Sequence, residues 1–333
     1  MSNLTGSNNS ALGYSALVSN ATGDNNVAIG ISALRSSNGS YNTAIGSDAS
    51  YTGTSSSYNT GIGSQSLYYN NSSLNTACGY RALYWGGGGL NTAVGICALQ
   101  GNPGLAFGAR NVAVGDSSIY QNSTGTDNTA LGSRSMLSNV NGSFNTAVGG
   151  ESQYTSQNAA NNTSTGSRSL YFNQSGNSNT ANGYLSLYGC VSGNQNVAVG
   201  KFALNSNVDG NNNTAIGSDA LTSSFTGNNN IGIGYNAQLP SSSGSNQVRI
   251  GDVNITYAGI QVAWTITSDK RWKANIQNSN LGLGFINSLR PVSYYRNNDE
   301  SKKTEYGFIA QELEEALQKA GAANSGIISK DDA

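Results

Sequence analysis

Ser268 and Lys273 are the residues of this chain whose types and spacing allow covalent chemistry. A lysine crowded by cations or removed from water loses its proton near neutral pH, and its free amine can then take the proton of a serine hydroxyl. Lys270 and Arg271 lie close enough in sequence to lower the pKa of Lys273 in this way. The five-residue spacing is common in unrelated sequences, so it carries weight only with its surroundings. The chain has no histidine. That removes His-based triads, His metal sites and His pH switches.

The surroundings supply two further motifs. Ser268-Asp269-x-Arg271-x-Lys273-x-Asn275-Ile276 is followed by Leu289-Arg-Pro-Val-Ser-Tyr-Tyr295 and then by Tyr306-Gly-Phe-Ile-Ala-Gln-Glu312. In order and spacing these resemble the S74 peptidase family, the C-terminal intramolecular chaperones of phage tail fibres, tailspikes and endosialidases. The resemblance covers residues 268 to about 320. It implies a chaperone that brings three chains together and then cuts itself off. In that family the serine is both nucleophile and first residue of the released piece, and the lysine is its base. Carried over, Ser268 and Lys273 form the dyad and Thr267–Ser268 is the scissile bond. Asp269, Arg271 and Asn275 would support the site. Gln311 stands either near the dyad, as the resemblance suggests, or as a solvated helix residue. Relatives continue into a further segment and a coiled coil, whereas this chain stops 66 residues after Thr267 (333 − 267). The domain is therefore expected to be short, and an uncleaved fibre with an inactive cap is one alternative.

The elements that must position this segment are of two kinds. Residues 1–250 carry seven Lys/Arg and seven Asp/Glu, leaving nine (16 − 7) and ten (17 − 7) to the last 83 residues. Charged residues are 10% of the whole, so the long first part is nearly uncharged. It escapes the reading of disorder that such polarity invites because it repeats. The unit Asn-(Thr/Val)-Ala-(Ile/Val)-Gly-x-x-(Ala/Ser)-Leu recurs fifteen times, its glycine running from Gly13 to Gly251 in steps of 16 or 17. One step of 20, between Gly95 and Gly115, contains Pro103-Gly104 and reads as an outward loop. A fixed short period means a solenoid.

In Asn42-Thr-Ala-Ile-Gly46 the alternation puts Thr43 and Ile45 on one face and Ala44 and Gly46 on the other. The alanine column stays small throughout, as a tightly packed interior requires. The preceding Asn and the following Gly are read as positive-φ turn positions. A second segment, such as Ser66-Leu67-Tyr68, reads as a second short strand. Each coil then holds two strands and two bends. The unit is similar to the parallel β-roll of trimeric autotransporter adhesin heads. So few large apolar residues per coil make a thin core, and Leu, Ile and Tyr on its flank are best buried against partner chains. A homotrimer is expected.

The fold expected is mainly β: a parallel β-roll or solenoid forming a homotrimeric fibre, with a small α+β C-terminal chaperone domain. The shaft spans 1–251, a β neck 252–267 and the chaperone 268–333. In the neck Ile260, Val262, Trp264 and Ile266 alternate as one strand. Beyond the dyad, helices are expected over 281–289 and 310–319, with paired extended segments at 292–296 and 305–309.

Other residues narrow the function. Net charge is −1 without a basic run, which excludes a nucleic-acid footprint. Asp48 and Asp219 share a column with Gln65, Arg81 and Arg134, so no metal ladder is expected, nor any cofactor. Cys78, Cys97 and Cys190 are too few for a disulfide framework, and Cys78, in an Ile/Val/Leu column, reads as a small buried residue. Tyr68, Tyr69, Tyr84, Trp85, Tyr120, Tyr154, Tyr171 and Tyr188 follow the Leu of several coils, either as a ladder for sugars or, more simply, as packing between coils or protomers. Neither a signal peptide nor a membrane span is visible. The chain is expected to be made in a host cytoplasm and to reside in a virion as a tail fibre or spike. Its expected partners are itself, other tail or baseplate proteins, and a host surface glycan or protein receptor. A bacterial adhesin with a β-roll head is the alternative from another class. An ice-binding solenoid ranks last, since each strand offers a single Thr.

Overall fold

The computed structural model describes residues 5–86, 88–103, 108–223, 226–258, 274, 276–277, 281–295 and 302–322. The chain divides into two compact units, Met1–Asp252 and Val253–Ala333.

The first unit is a parallel β-solenoid. Fifteen three-residue strands, from β1 (Ser10–Leu12) to β15 (Val248–Ile250), form one sheet in sequence order. Consecutive strands pair in parallel, alanine on alanine, as in Ala28↔Ala44 and Ala44↔Gly61. At a strand spacing of about 4.8 Å the fifteen rungs extend roughly 70 Å. The central residue of the repeating strand is sealed, with Ala28, Ala44, Ala77 and Ala93 all at 0% exposure. The residues on either side of it turn outward, as the alternation predicts.

The glycine after each strand is required by close approach. Gly115 has φ +131°, and a Cβ placed there would lie 2.6 Å from the carbonyl carbon of Gly132 in the next coil. No side chain fits between backbones so close.

The second segment is not a strand. Its leucine takes a left-handed conformation, as at Leu34 (φ 48°), Leu67 (φ 53°) and Leu170 (φ 53°), as does the residue two before it. Backbone bonds between coils persist, for example Leu34 N–H to the carbonyl of Ala49 (2.9 Å). The alternating left-handed residues curl the segment and aim each leucine inward, where Leu34, Leu67 and Leu170 are sealed. Burying a leucine is worth roughly 2 kcal/mol, against a left-handed cost of about 1–2 kcal/mol. The sheet of neighbouring coils supplies the rest. Each coil therefore has one strand and one curled arm in place of two strands.

The asparagine before each strand is not a turn residue either. Positive φ falls one residue earlier, at Tyr41, Tyr58, Leu74 and Phe144. The asparagine itself is buried in a continuous amide ladder. Asn42 N–H donates to Asn26 Oδ1 (2.9 Å), and Asn59 N–H donates to Asn42 Oδ1 (3.0 Å). On its other side Asn42 Nδ2 donates to the carbonyl of Ser56 (2.9 Å). One side chain thus satisfies two backbone groups that the thin core would otherwise leave buried and unpaired.

The coil interior falls into three apolar clusters, Ala16–Ala49, Leu67–Ala147 and Leu170–Leu221. The gaps between them fall where the leucine column holds Ser50 and Gln153. Cys78 is exposed, contrary to its reading as a buried residue. Its column is the outward third position of the strand, whose apolar residues lie on the surface of the single chain.

The second unit holds α1 (Leu283–Ser288), β16 (Val292–Tyr294), β17 (Glu305–Gly307) and α2 (Ala310–Lys319). Pro291 ends the approach from α1 and sets the extended β16. Residues 259–267 of the expected neck lie outside the described residues, and 255–258 form no strand.

Candidate functional site

Two of the three motifs that single out the C-terminal unit can be followed into its geometry. The last two become neighbouring strands. β16 pairs antiparallel with β17 in the register Val292↔Gly307, Ser293↔Tyr306 and Tyr294↔Glu305. The pairing is pinned by a bidentate ion pair. Arg290 Nε donates to Glu312 Oε2 (2.9 Å), and Arg290 Nη2 donates to Glu312 Oε1. The hydrogen bond and charge of Arg290 hold the Glu312 carboxyl below its ordinary range and raise the guanidinium in return. Sequence reasoning passed over this pair, although both partners stand inside the quoted motifs.

Gln311 lies on the first turn of α2 and is exposed. Helix α2 buries Ala316 and Leu317, and a concavity of about 370 Å³ lies between α1 and α2, lined by Phe285, Ser288, Glu312 and Lys319 among others. Much of this unit's apolar surface remains open, with Tyr306 at 84% and Leu283 at 78% exposure. Thr267, Ser268, Asp269, Arg271, Lys273 and Asn275 lie outside the described residues.

Residues 268–322 match the Peptidase S74 family, described as chaperone of endosialidase. The match begins at Ser268 and takes in all three motifs. Neither a curated protein nor a solved structure matches the chain. An S74 segment at the C-terminus, with a β-solenoid body before it, fits a tail fibre or spike with a C-terminal chaperone domain.

The solenoid that accompanies the S74 segment offers two surfaces of its own. The outward strand face is an apolar stripe, with Ile29, Ile45, Ile62, Val94, Leu131, Val148, Ile216 and Ile233 each 36–43% exposed. Along another edge the aromatic residues stack coil on coil. Tyr51 and Tyr68 lie 4.9 Å apart at 4°, Tyr69 and Trp85 4.2 Å apart at 5°, and Tyr154 and Tyr171 4.8 Å apart at 2°. Their faces are occupied by one another, so an approaching sugar would meet ring edges. This favours the reading of packing between coils. Burial raises the hydroxyl pKa of Tyr68, Tyr84 and Tyr171, and it pushes the sealed Cys190 thiol up to about 12. Among the described residues no helix is long and apolar enough to cross a membrane.

Proposed function

We propose that this chain is the subunit of a trimeric phage-type tail fibre or spike, assembled by its S74 segment and matured by self-cleavage at Thr267–Ser268. The observation that carries the reading is the S74 match beginning at Ser268, behind a solenoid whose outward face is left apolar. That face suits a second and third copy of itself. A stripe about 70 Å long and 10 Å wide offers roughly 700 Å², close to one side of a standard interface. The exposed aromatic residues of the C-terminal unit support the same view, since a unit so open is completed by its copies.

In the proposed mechanism the C-terminal units associate first and set three chains side by side. Neutral Lys273 takes the proton of the Ser268 hydroxyl, and the oxygen attacks the carbonyl carbon of Thr267. The C–N bond breaks as the proton passes to the Ser268 nitrogen, which leaves an ester between the two residues. Water then hydrolyses the ester and frees residues 268–333. The reaction turns over once and has no external substrate. Loss of the chaperone leaves a fibre that cannot easily be rebuilt once unfolded, so its stability becomes kinetic. Within a virion the fibre would join other tail or baseplate proteins and meet a host glycan or protein receptor.

The test is the denatured mass of the expressed chain beside Ser268→Ala. The expected result is a wild-type product shorter by the last 66 residues (333 − 267) and an intact variant. A variant that still matures would sink the dyad. Sedimentation of the wild-type chain as a monomer would sink the trimer.

A further inference from the structure

A self-interface built from identical coils has a difficulty. Sliding one chain past another by a single coil, about 4.8 Å, restores nearly every apolar contact along the stripe. The stripe by itself does not choose a register.

One stretch of the solenoid departs from the repeat in several columns at the same height. The third strand position is apolar in thirteen of the fifteen strands, counting Cys78, and polar in β10 (Thr163–Thr165) and β11 (Thr180–Asn182). Thr165 and Asn182 thus replace the outward Ile or Val, with Val148 before them and Val199 after. Beneath them the interior also turns polar. Gln153 fills the leucine column and Ser164 the alanine column, joined by Gln153 Nε2 donating to Ser164 Oγ (2.9 Å). Ser152 and Ser169 extend the cluster at 3.0 Å. Within the coil this costs core area. Outward it produces the single polar gap in the stripe.

We propose that the β10–β11 rungs are the key that fixes the axial register of the assembled chains, the partner being further copies of this chain; the inference rests on the trimer reading above. In register, the three Asn182 amides face one another, and each can donate to the next around the axis. A slip of one coil sets Asn182 against Val199 of a neighbour and buries an amide without a partner. A single polar position in a repeating apolar seam fixes register in the same way in coiled coils.

The experiment uses the full chain with one spin label at the exposed Thr22→Cys, in a Cys78→Val, Cys97→Ser background. Valine and serine already occupy these two columns in other coils, and the buried Cys190 stays unlabelled. Pulsed electron resonance reads the distances between chains. The wild-type rungs are expected to give one narrow distance. Thr165→Val with Asn182→Val should add longer components from chains displaced by whole coils, each step about 4.8 Å along the axis. Thr165→Ser with Asn182→Gln, which keeps the polarity, should retain the single distance. A valine pair that keeps the single distance overturns the register key while the trimer stands. A monomeric wild type overturns the trimer reading beneath it. Thr165 is half-buried and Asn182 exposed, both at the outward strand position where valine is favoured, so unchanged circular dichroism serves as the folding control.

Discussion

The two units solve the problem of a small core by opposite means. In the solenoid almost nothing is charged, and most coils bury an alanine and a leucine, closed by an asparagine amide and a glycine without a Cβ. The same few contacts recur from rung to rung, so each is supported from above and below. Among the described residues of the C-terminal unit, two short strands and two helices are held by separate contacts such as the Arg290–Glu312 ion pair and a small buried patch at Ala316 and Leu317. Repetition lets a thin core hold a long object, whereas the C-terminal unit depends on a few separate contacts and leaves much of its apolar surface open.

The largest expected effect breaks the repeat at its tightest point. Gly132 has φ +133°, and a Cβ there would lie 2.7 Å from the backbone of Gly149. Gly132→Ala must therefore push neighbouring coils apart as well as strain its own backbone. A loss of roughly 3–5 kcal/mol is expected, read as a fall in thermal midpoint and as lost amide protection centred on residues 115–149. A glycine of the other unit provides the contrast. Nothing lies within 4 Å of a Cβ at Gly284, so Gly284→Ala, in α1, should be tolerated or mildly favourable.

The amide ladder gives the next effect. Asn128 Nδ2 donates to the carbonyl of Gly142 (2.8 Å), and its Oδ1 accepts from Asn145 N–H (3.0 Å). Asn128→Leu preserves the volume but leaves the Asn145 N–H without its acceptor in a dry interior, while the Gly142 carbonyl keeps its second donor, Asn139 Nδ2 (3.0 Å); a cost of roughly 1–3 kcal/mol is expected. Protection measured at Asn145 should fall more than that at distant rungs. Equal loss along the whole rod would show that the ladder does not act locally.

This ladder also marks how far the sequence could be read. The period, the outward and inward columns, the glycine positions and the short helices near the C-terminus were all legible, because alternation and turn chemistry repeat in plain view. The ladder was not. An asparagine beside a glycine reads as turn chemistry, and only the distance between coils shows its amide bridging two backbones. The left-handed leucines were hidden for a related reason, since leucine rarely adopts that conformation unless burial outweighs it. Cys78 misled because an apolar column signals a buried one only where a single chain closes its own core. The Arg290–Glu312 pair joins residues 22 apart, and no local pattern announces it. The dyad, Ser268 and Lys273, was legible as a motif and lies outside the described residues.

A stabilising change follows from the polar coil. Gln153→Leu with Ser164→Ala restores the interior of the neighbouring coils and joins the clusters that end at Ala147 and begin at Leu170. Replacing a buried, partly satisfied amide by well-packed leucine should raise stability by about 1–2 kcal/mol. The outward Thr165 and Asn182 are untouched, so the distance between labelled chains should stay as it was. A fall in the thermal midpoint would mean that the buried amide stabilises the coil more than leucine can.

The smallest effect separates the units by acid. The pairing with Arg290 depresses the Glu312 carboxyl, so its contribution is full above the ordinary glutamate range and is lost as pH falls through the lower, folded value. The solenoid's ladder contains no titrating group, and the same acid leaves it unprotonated and unchanged. Arg290→Ala removes the cause of the depression. At neutral pH the variant should show weaker amide protection across residues 310–319, after correction for intrinsic exchange. Below the folded value of Glu312 the two chains should converge, because the wild type has then lost the pair as well. The exposed setting keeps the difference small. A gap between wild type and variant that persisted undiminished in acid would assign the arginine's effect to the packing of its stem against β16 and α2, and would leave the charge no part in holding the two motifs together.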